Sequence, residues 1–269
     1  MSTSANLITL IGGAGLSASA TAAMELTADT LGPAIMAGLG DVSLDDIGAS
    51  EVVLVTLLLD DSGSIRMVAG NTEAVRTGHN TMIDALSAAK QAGDVLISCR
   101  YLNDDPVTVQ GVLYPYRPLA GAVRLDSHNF NPMGGTPLYD QTAVALTGVT
   151  AKMAEFEAGG VAARAITVIV TDGSDQHSST HRTARSVEPM VEGLLKTEQH
   201  IIAAMGIDDG YTDFRSVFTE MGIPDTWILT PGNSPAEIRK AFAVVSQSAV
   251  RASQSAGSFS QTALGGFGP

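Results

Sequence analysis

The sequence predicts an α/β protein: a doubly wound, mostly parallel sheet with helices on both faces and one antiparallel edge strand. Three observations carry this. Four apolar runs of strand length, Val52–Leu59, Val95–Cys99, Ala165–Thr171 and Ile201–Ile207, are each bounded by polar or glycine positions. Segments of helical period alternate with them, and strand-then-helix repetition builds parallel strands joined by crossovers. The stretch "DDPVTVQGVLYPYRP" (104–118) breaks that rhythm with alternating residues and turn formers, as a hairpin partner of the strand at 95–102 would.

The helices are expected at Glu73–Gln91, Leu138–Glu157, Thr183–Lys196, Thr212–Glu220 and Pro235–Ser248. The last opens on Ser234-Pro235-Ala236-Glu237, a serine cap with proline at the first helical position and an acid close behind. Asp225–Thr230 fits a shorter fifth strand. Residues 1–45 carry no basic residue and are Gly/Ala/Ser-rich, while 252–269 is Gly/Ser-rich and uncharged. The expected organisation is therefore an N-terminal extension (1–45) that packs on the domain or docks a partner, a domain over 46–251, and a flexible tail over 252–269. No internal repeat is visible.

Composition narrows the function. At 269 residues, 45% apolar and 16% charged, the chain has material for a sizeable core. Its net charge of −13 and pI near 4.6 argue against binding nucleic acid or anionic lipid. No segment is apolar for long enough to span a bilayer. The single cysteine, Cys99, excludes an intrachain disulfide and a cysteine metal cluster, and in "DVLISCRYL" it reads as a buried strand residue. The N-terminal "ASA" imitates a signal-peptidase site, but the first basic residue is Arg66, so a basic n-region is missing. The expectation is a cytoplasmic protein.

Function in an open parallel sheet sits at the carboxyl ends of the strands. Those ends carry Asp60-Asp61-Ser62-Gly63-Ser64, the glycine turn "NPMGGTPLYD" with Thr136 just before a helix, and "VIVTDGSD" with Asp172 one residue past an apolar strand. If 52–59 and 165–171 are neighbours, Asp60 and Asp172 face each other with Ser62, Ser64 and Thr136 between them. Such an all-oxygen set suits Mg²⁺, Mn²⁺ or Ca²⁺, not zinc or copper. Neutral hydroxyls leave the ion with positive charge to satisfy, which favours a further anionic ligand from outside. Asp61 should point away from the ion, as a surface acid.

Asp60-x-Ser62-x-Ser64, the threonine of Gly-Gly-Thr-Pro-Leu and the aspartate of Thr-Asp-Gly resemble the metal-ion-dependent adhesion site (MIDAS) of von Willebrand factor A (VWA) domains. The resemblance covers roughly residues 52–251, and "NPMGGTPLYD" is most similar to the intracellular prokaryotic branch. It implies that Ser62, Ser64 and Thr136 ligate the ion, with Asp60 and Asp172 acting directly or through waters. It also implies a contact rather than a reaction: an exposed Asp or Glu of a protein partner completes the coordination. Intracellular relatives in this family often work beside AAA+ ATPases or kinases.

Other readings compete. Ser62 and Ser64 could be helix caps, and Thr136-Pro137 an ordinary helix start. Asp175, His177 and His181 lack a third ligand at zinc spacing and read as a solvated loop at the rim. "LITLIGGAGLSASA" imitates a dinucleotide fingerprint, with no second strand and terminal acid to complete it. A serine hydrolase would need Gly-x-Ser-x-Gly, and a haloacid-dehalogenase-like phosphatase an acid where Ser62 stands. The expectation is thus no enzyme, with a self-assembling structural subunit and a phosphatase-like hydrolase as the alternatives.

Overall fold

The structure, a computed structural model, describes residues 4–42, 50–90, 92–103, 111–179, 182–254 and 264–267. Six strands form one sheet: β1 (Glu51–Leu59), β2 (Val95–Tyr101), β3 (Val112–Pro118), β4 (Ala162–Thr171), β5 (His200–Gly206) and β6 (Ile228–Leu229). Their order is β3-β2-β1-β4-β5-β6, with β3 antiparallel to β2 and every other pair parallel. The expected edge strand is therefore present, although residues 104–110 of its hairpin lie outside the described residues. β4 begins three residues earlier than its apolar run, because Glu51 pairs with Ala162 and an ion pair joins Glu51 to Arg164 at 3.0 Å. β6 is shorter than expected, since Asp225–Trp227 closes into a 3₁₀ turn.

β1 lies between β2 and β4, buried over Val52–Leu59, which is why it reads as unbroken apolar sequence. Seven helices are described: α1 (Ser4–Gly13), α2 (Ala18–Leu39), α3 (Asn71–Ser87), α4 (Leu138–Ala158), α5 (Ala184–Lys196), α6 (Phe214–Glu220) and α7 (Pro235–Gln254). On one face α3 packs on α7, where Gly78 lies so close to the Phe242 ring that a Cβ would overlap it. On the other, α2 packs across α4 and α5. The expected α7 runs six residues past Ser248, and its buried Ala249 and Ala252 continue the same apolar face.

The described part of the basic-free extension, residues 4–42, is mostly helical. Leu7 and Ile11 of α1 and Met24, Ala28, Ile35 and Leu39 of α2 share the main core. Lys152 of α4, itself buried, donates from Nζ to the Val42 carbonyl at 2.7 Å. The imitation dinucleotide fingerprint falls at the turn between α1 and α2, with Ser17 capping α2. A dinucleotide site needs a strand before that turn, and here a helix precedes it. No helix among the described residues is long and apolar enough to cross a membrane.

Two histidines are buried in this core. His79 contacts the Tyr114 hydroxyl and Asn80, and burial lowers its pKa from 6.5 to about 4. His200 at the start of β5 is lowered to about 3 by burial, and its Nδ1 has no hydrogen-bond partner among the described residues. The unfolded chain binds these protons near pH 6.5 and the fold does not, so the histidines' contribution to stability is complete above that pH. It should fall as the pH drops toward about 4 for His79 and about 3 for His200, at up to ~1.4 kcal/mol per pH unit for each. The raised pKa of Asp172 acts with the opposite sign over the same range, so the test is differential: urea unfolding at pH 7 and pH 5 should show His200→Leu favoured at pH 5 relative to the parent. An equal pH 7-to-5 difference in His200→Leu and the parent would contradict the assignment.

Candidate metal centre

β1 and β4 end in register, Leu59 opposite Val170, so Asp60 and Asp172 emerge side by side. The ladder continues one step further, with Asp60 N donating to Val170 O at 2.8 Å. That bond turns the Asp60 carboxylate inward. Its Oδ1 accepts from Ser62 N at 2.8 Å, and its Oδ2 accepts from Thr171 Oγ1 at 2.6 Å and from Asp172 N at 3.3 Å. Ser64 Oγ donates to Asp172 Oδ1 at 2.6 Å and lies 2.9 Å from Ser62 Oγ. Asp60, Ser62, Thr136 and Asp172 are all buried.

Thr136 arrives from the loop before α4. Gly63 N donates to Gly134 O at 3.2 Å and Met133 N to Asp61 O at 2.6 Å, clamping this loop to the one after β1. Gly134, with φ of 86°, makes the turn that a residue with a Cβ would resist. A Cβ on Gly173 would sit 3.2 Å from Thr136 Oγ1 and 3.9 Å from Ser64 Oγ. Gly173 therefore leaves a small space that the hydroxyls of Thr136 and Ser64 border, beside the Asp172 carboxylate. All five residues picked from the sequence lie in this one cluster.

The electrostatics fit a cation. Burial raises the pKa of Asp60, its hydrogen bonds opposing the shift only in part. Burial, then the charge of Asp60, raises Asp172 to about 7. Among the described residues no ion pair reaches either acid. Two desolvated carboxylates without a basic side chain, next to three hydroxyl oxygens, form a hard donor set for Mg²⁺, Mn²⁺ or Ca²⁺.

Two expectations need correction. Asp61 is not a surface acid: it is 2% exposed, and its Oδ1 accepts from Asn103 N at 3.1 Å. It does point away from the cluster, tying β1's loop to the end of β2, and the preference for a buried backbone partner overrides its polarity. The segment at 173–179 is likewise not merely solvated. Asp175 Oδ1 accepts from Tyr139 N at 3.2 Å and Ser178 Oγ at 2.5 Å, while Asp140 accepts from Ser179 N at 2.7 Å. His177 lies over Gly135, and its Nδ1 accepts from Thr136 N at 3.2 Å; His181 lies outside the described residues. Among the described residues no three His, Cys, Asp or Glu side chains form a metal cluster, so His177 and Asp175 act as staples.

Sequence reasoning missed Thr171, Gly173 and Asp209. Thr171 bonds Asp60 as the polar end of an apolar strand, a signal visible in "VIVTDG". Asp209, whose charge also raises Asp172, comes from the loop after β5 and had no motif to mark it.

The fold is a doubly wound α/β fold with a mostly parallel six-stranded sheet. It is similar to the pilus adhesin SpaC from Lactobacillus rhamnosus GG in its open conformation, with a TM-score of 0.53 at 15% identity, covering 79% of this chain and 31% of the adhesin. The chain thus spans less than a third of that protein's length. Two further solved structures are similar at lower scores. Proximal thread matrix protein 1 from the mussel byssus, with a zinc-occupied MIDAS motif, gives 0.48 at 15% identity over 74% of this chain and 46% of its own. The SpRpn10 VWA domain gives 0.47 at 12% identity over 72% and 95%. No protein-family model and no curated protein sequence matches the chain.

Titration calorimetry with Mg²⁺ should show one site, and Gly173→Ala should weaken it at least about tenfold, because its methyl intrudes on Thr136 Oγ1. The Tm of the metal-free variant should stay within a few degrees of the parent. Equal affinity in both would remove Gly173 and its neighbouring hydroxyls from the binding site.

Proposed function

We propose that the protein is a metal-dependent protein–protein interaction module, an adaptor or assembly factor rather than an enzyme. The observation that carries this is the buried pair Asp60 and Asp172, bordered by Ser62, Ser64 and Thr136 hydroxyls and lacking any basic counter-charge in the described residues. Ser62, Ser64 and Thr136 would hold the ion, with Asp60 and Asp172 bound directly or through waters, and Mg²⁺ as the cellular metal. Once bound, the ion supplies a positive charge able to accept a carboxylate from a partner's Asp or Glu. Asp60 is already engaged by three donors, which suits it to orienting the loop and not to proton transfer.

The rim supports docking. Of the four exposed large hydrophobic residues described, Met67 (83% exposed), Met133 (42%) and Tyr211 (97%) lie on the loops after β1, before α4 and after β5. Asp209 accepts from Tyr211 N and Thr212 N at 2.9 and 2.6 Å, fixing the turn that presents Tyr211. Methionine and tyrosine are enriched at interfaces, and tyrosine is a frequent hot-spot residue there. The partner would therefore present an acid flanked by apolar side chains. An AAA+ ATPase or kinase of the same cytoplasmic bacterial system is the partner class that the family resemblance suggests.

Affinity capture with the tagged full chain from its native cells tests this. A partner should be retained in Mg²⁺, lost in EDTA and lost on Asp60→Ala. Met67→Ala with Tyr211→Ala should weaken capture about tenfold, ~1.4 kcal/mol, while leaving Mg²⁺ affinity unchanged. Capture that is equal in EDTA would sink the proposal, and turnover of a phosphoester by the metal-loaded protein would favour the hydrolase reading instead.

A further inference from the structure

Residues Leu264–Phe267 fold back across the chain's single tryptophan. Phe267 N donates to Thr226 O at 3.0 Å, and its ring meets Trp227 edge-on at 5.3 Å. Arg251, in the last turn of α7, donates from Nη2 to Gly266 O at 2.6 Å. Gly265 and Gly266 have φ of 74° and 100°, and a Cβ on Gly266 would overlap the Thr226 carbonyl. The Gly-Gly-aromatic order is therefore needed for this seat. Phe267 and Trp227 close a small gap between α7 and the sheet, next to Ile201, Ala249 and Ala252. It lies where β5 begins, at the opposite end of the sheet from the Asp60 cluster.

We propose that this groove beside Trp227 is a docking site for a Gly-Gly-Phe segment, and that the segment of a second copy of the chain can fill it. The seat consists of one half-buried ring and a few hydrogen bonds, with nothing covalent to hold it. Nine residues, 255–263, join it to α7. Linkage of that length gives an effective concentration on the order of millimolar, so a seated segment needs only millimolar intrinsic strength. A second copy at comparable local concentration offers identical groups and competes on equal terms. Charge points to the same occupant. Copies carrying −13 each repel one another, but residues 252–269 are uncharged, so this segment approaches another copy without adding to the repulsion. Screening by salt should then promote exchange.

Trp227 reports on the seat, because it is the only tryptophan. In the full chain, Phe267→Ala removes the ring and Gly266→Val blocks the turn. Both should red-shift tryptophan emission and raise iodide quenching severalfold. A synthetic peptide of residues 261–269 should reverse this in Phe267→Ala with a dissociation constant of about 1 mM or below, and its Phe→Ala counterpart should not. Sedimentation of the parent should show self-association approaching that concentration, stronger in added salt and lost in Phe267→Ala. Unchanged quenching in both variants would overturn the docking site. A peptide without effect at about 10 mM, or self-association absent from the parent or equal in parent and variant, would overturn exchange between copies. None of these readouts involves the metal centre.

Discussion

Two carboxylates buried beside each other at the ends of β1 and β4 set the terms for the rest of the molecule. Parallel pairing in register puts them there, and the ladder bond from Asp60 N to Val170 O keeps them there. Burial raises the pKa of both acids, and the charge of Asp60 raises that of Asp172 further, a cost to folding unless something offsets it. The local answer is hydrogen bonding, from Ser62 N and Thr171 Oγ1 to Asp60 and from Ser64 Oγ to Asp172. Hydroxyls add acceptors for a cation without adding charge, and so leave room for one more anion.

The loops that carry these groups are held by polar staples as well as by the buried side chains of Ile65, Leu125 and Phe130. Asp140 and Asp175 anchor the 173–179 segment to the start of α4, and Arg182 pairs with Asp140 at 2.8 Å. Arg182 also donates to Thr27 Oγ1 of α2 at 3.1 Å. Helix α2 therefore braces the rim of the candidate site as well as filling the core beneath α4 and α5. Asp61 plays the matching part on the other side, binding Asn103 N at the end of β2. Such charge-assisted bonds fix loop geometry closely, which an ion with strict distance demands requires.

Much of this was legible in the sequence because apolar run length and helical period report directly on burial. Val52–Leu59 could only be a strand covered on both faces, and "GVLYPYRP" carried the alternation of an edge strand. The five clustered residues were legible because topology alone places strand ends together. Residues 1–45 were harder. Their small residues show little amphipathic contrast, yet Gly148, beside Ile35 and Leu39, and Gly193, beside Ala20, let helices approach closely enough for weak patterns to pack.

The sequence by itself determined the parallel α/β class, the edge strand and which oxygen-bearing residues lie at the strand ends, since each depends on local periodicity or on short motifs. Tertiary structure alone decided that Asp61 is buried, that Gly173 leaves the space beside Thr136, that Asp209 adds its field, and that Phe267 reaches Trp227. Each of those depends on contacts between residues far apart in the chain, and pairwise proximity of that kind leaves no periodic trace along it.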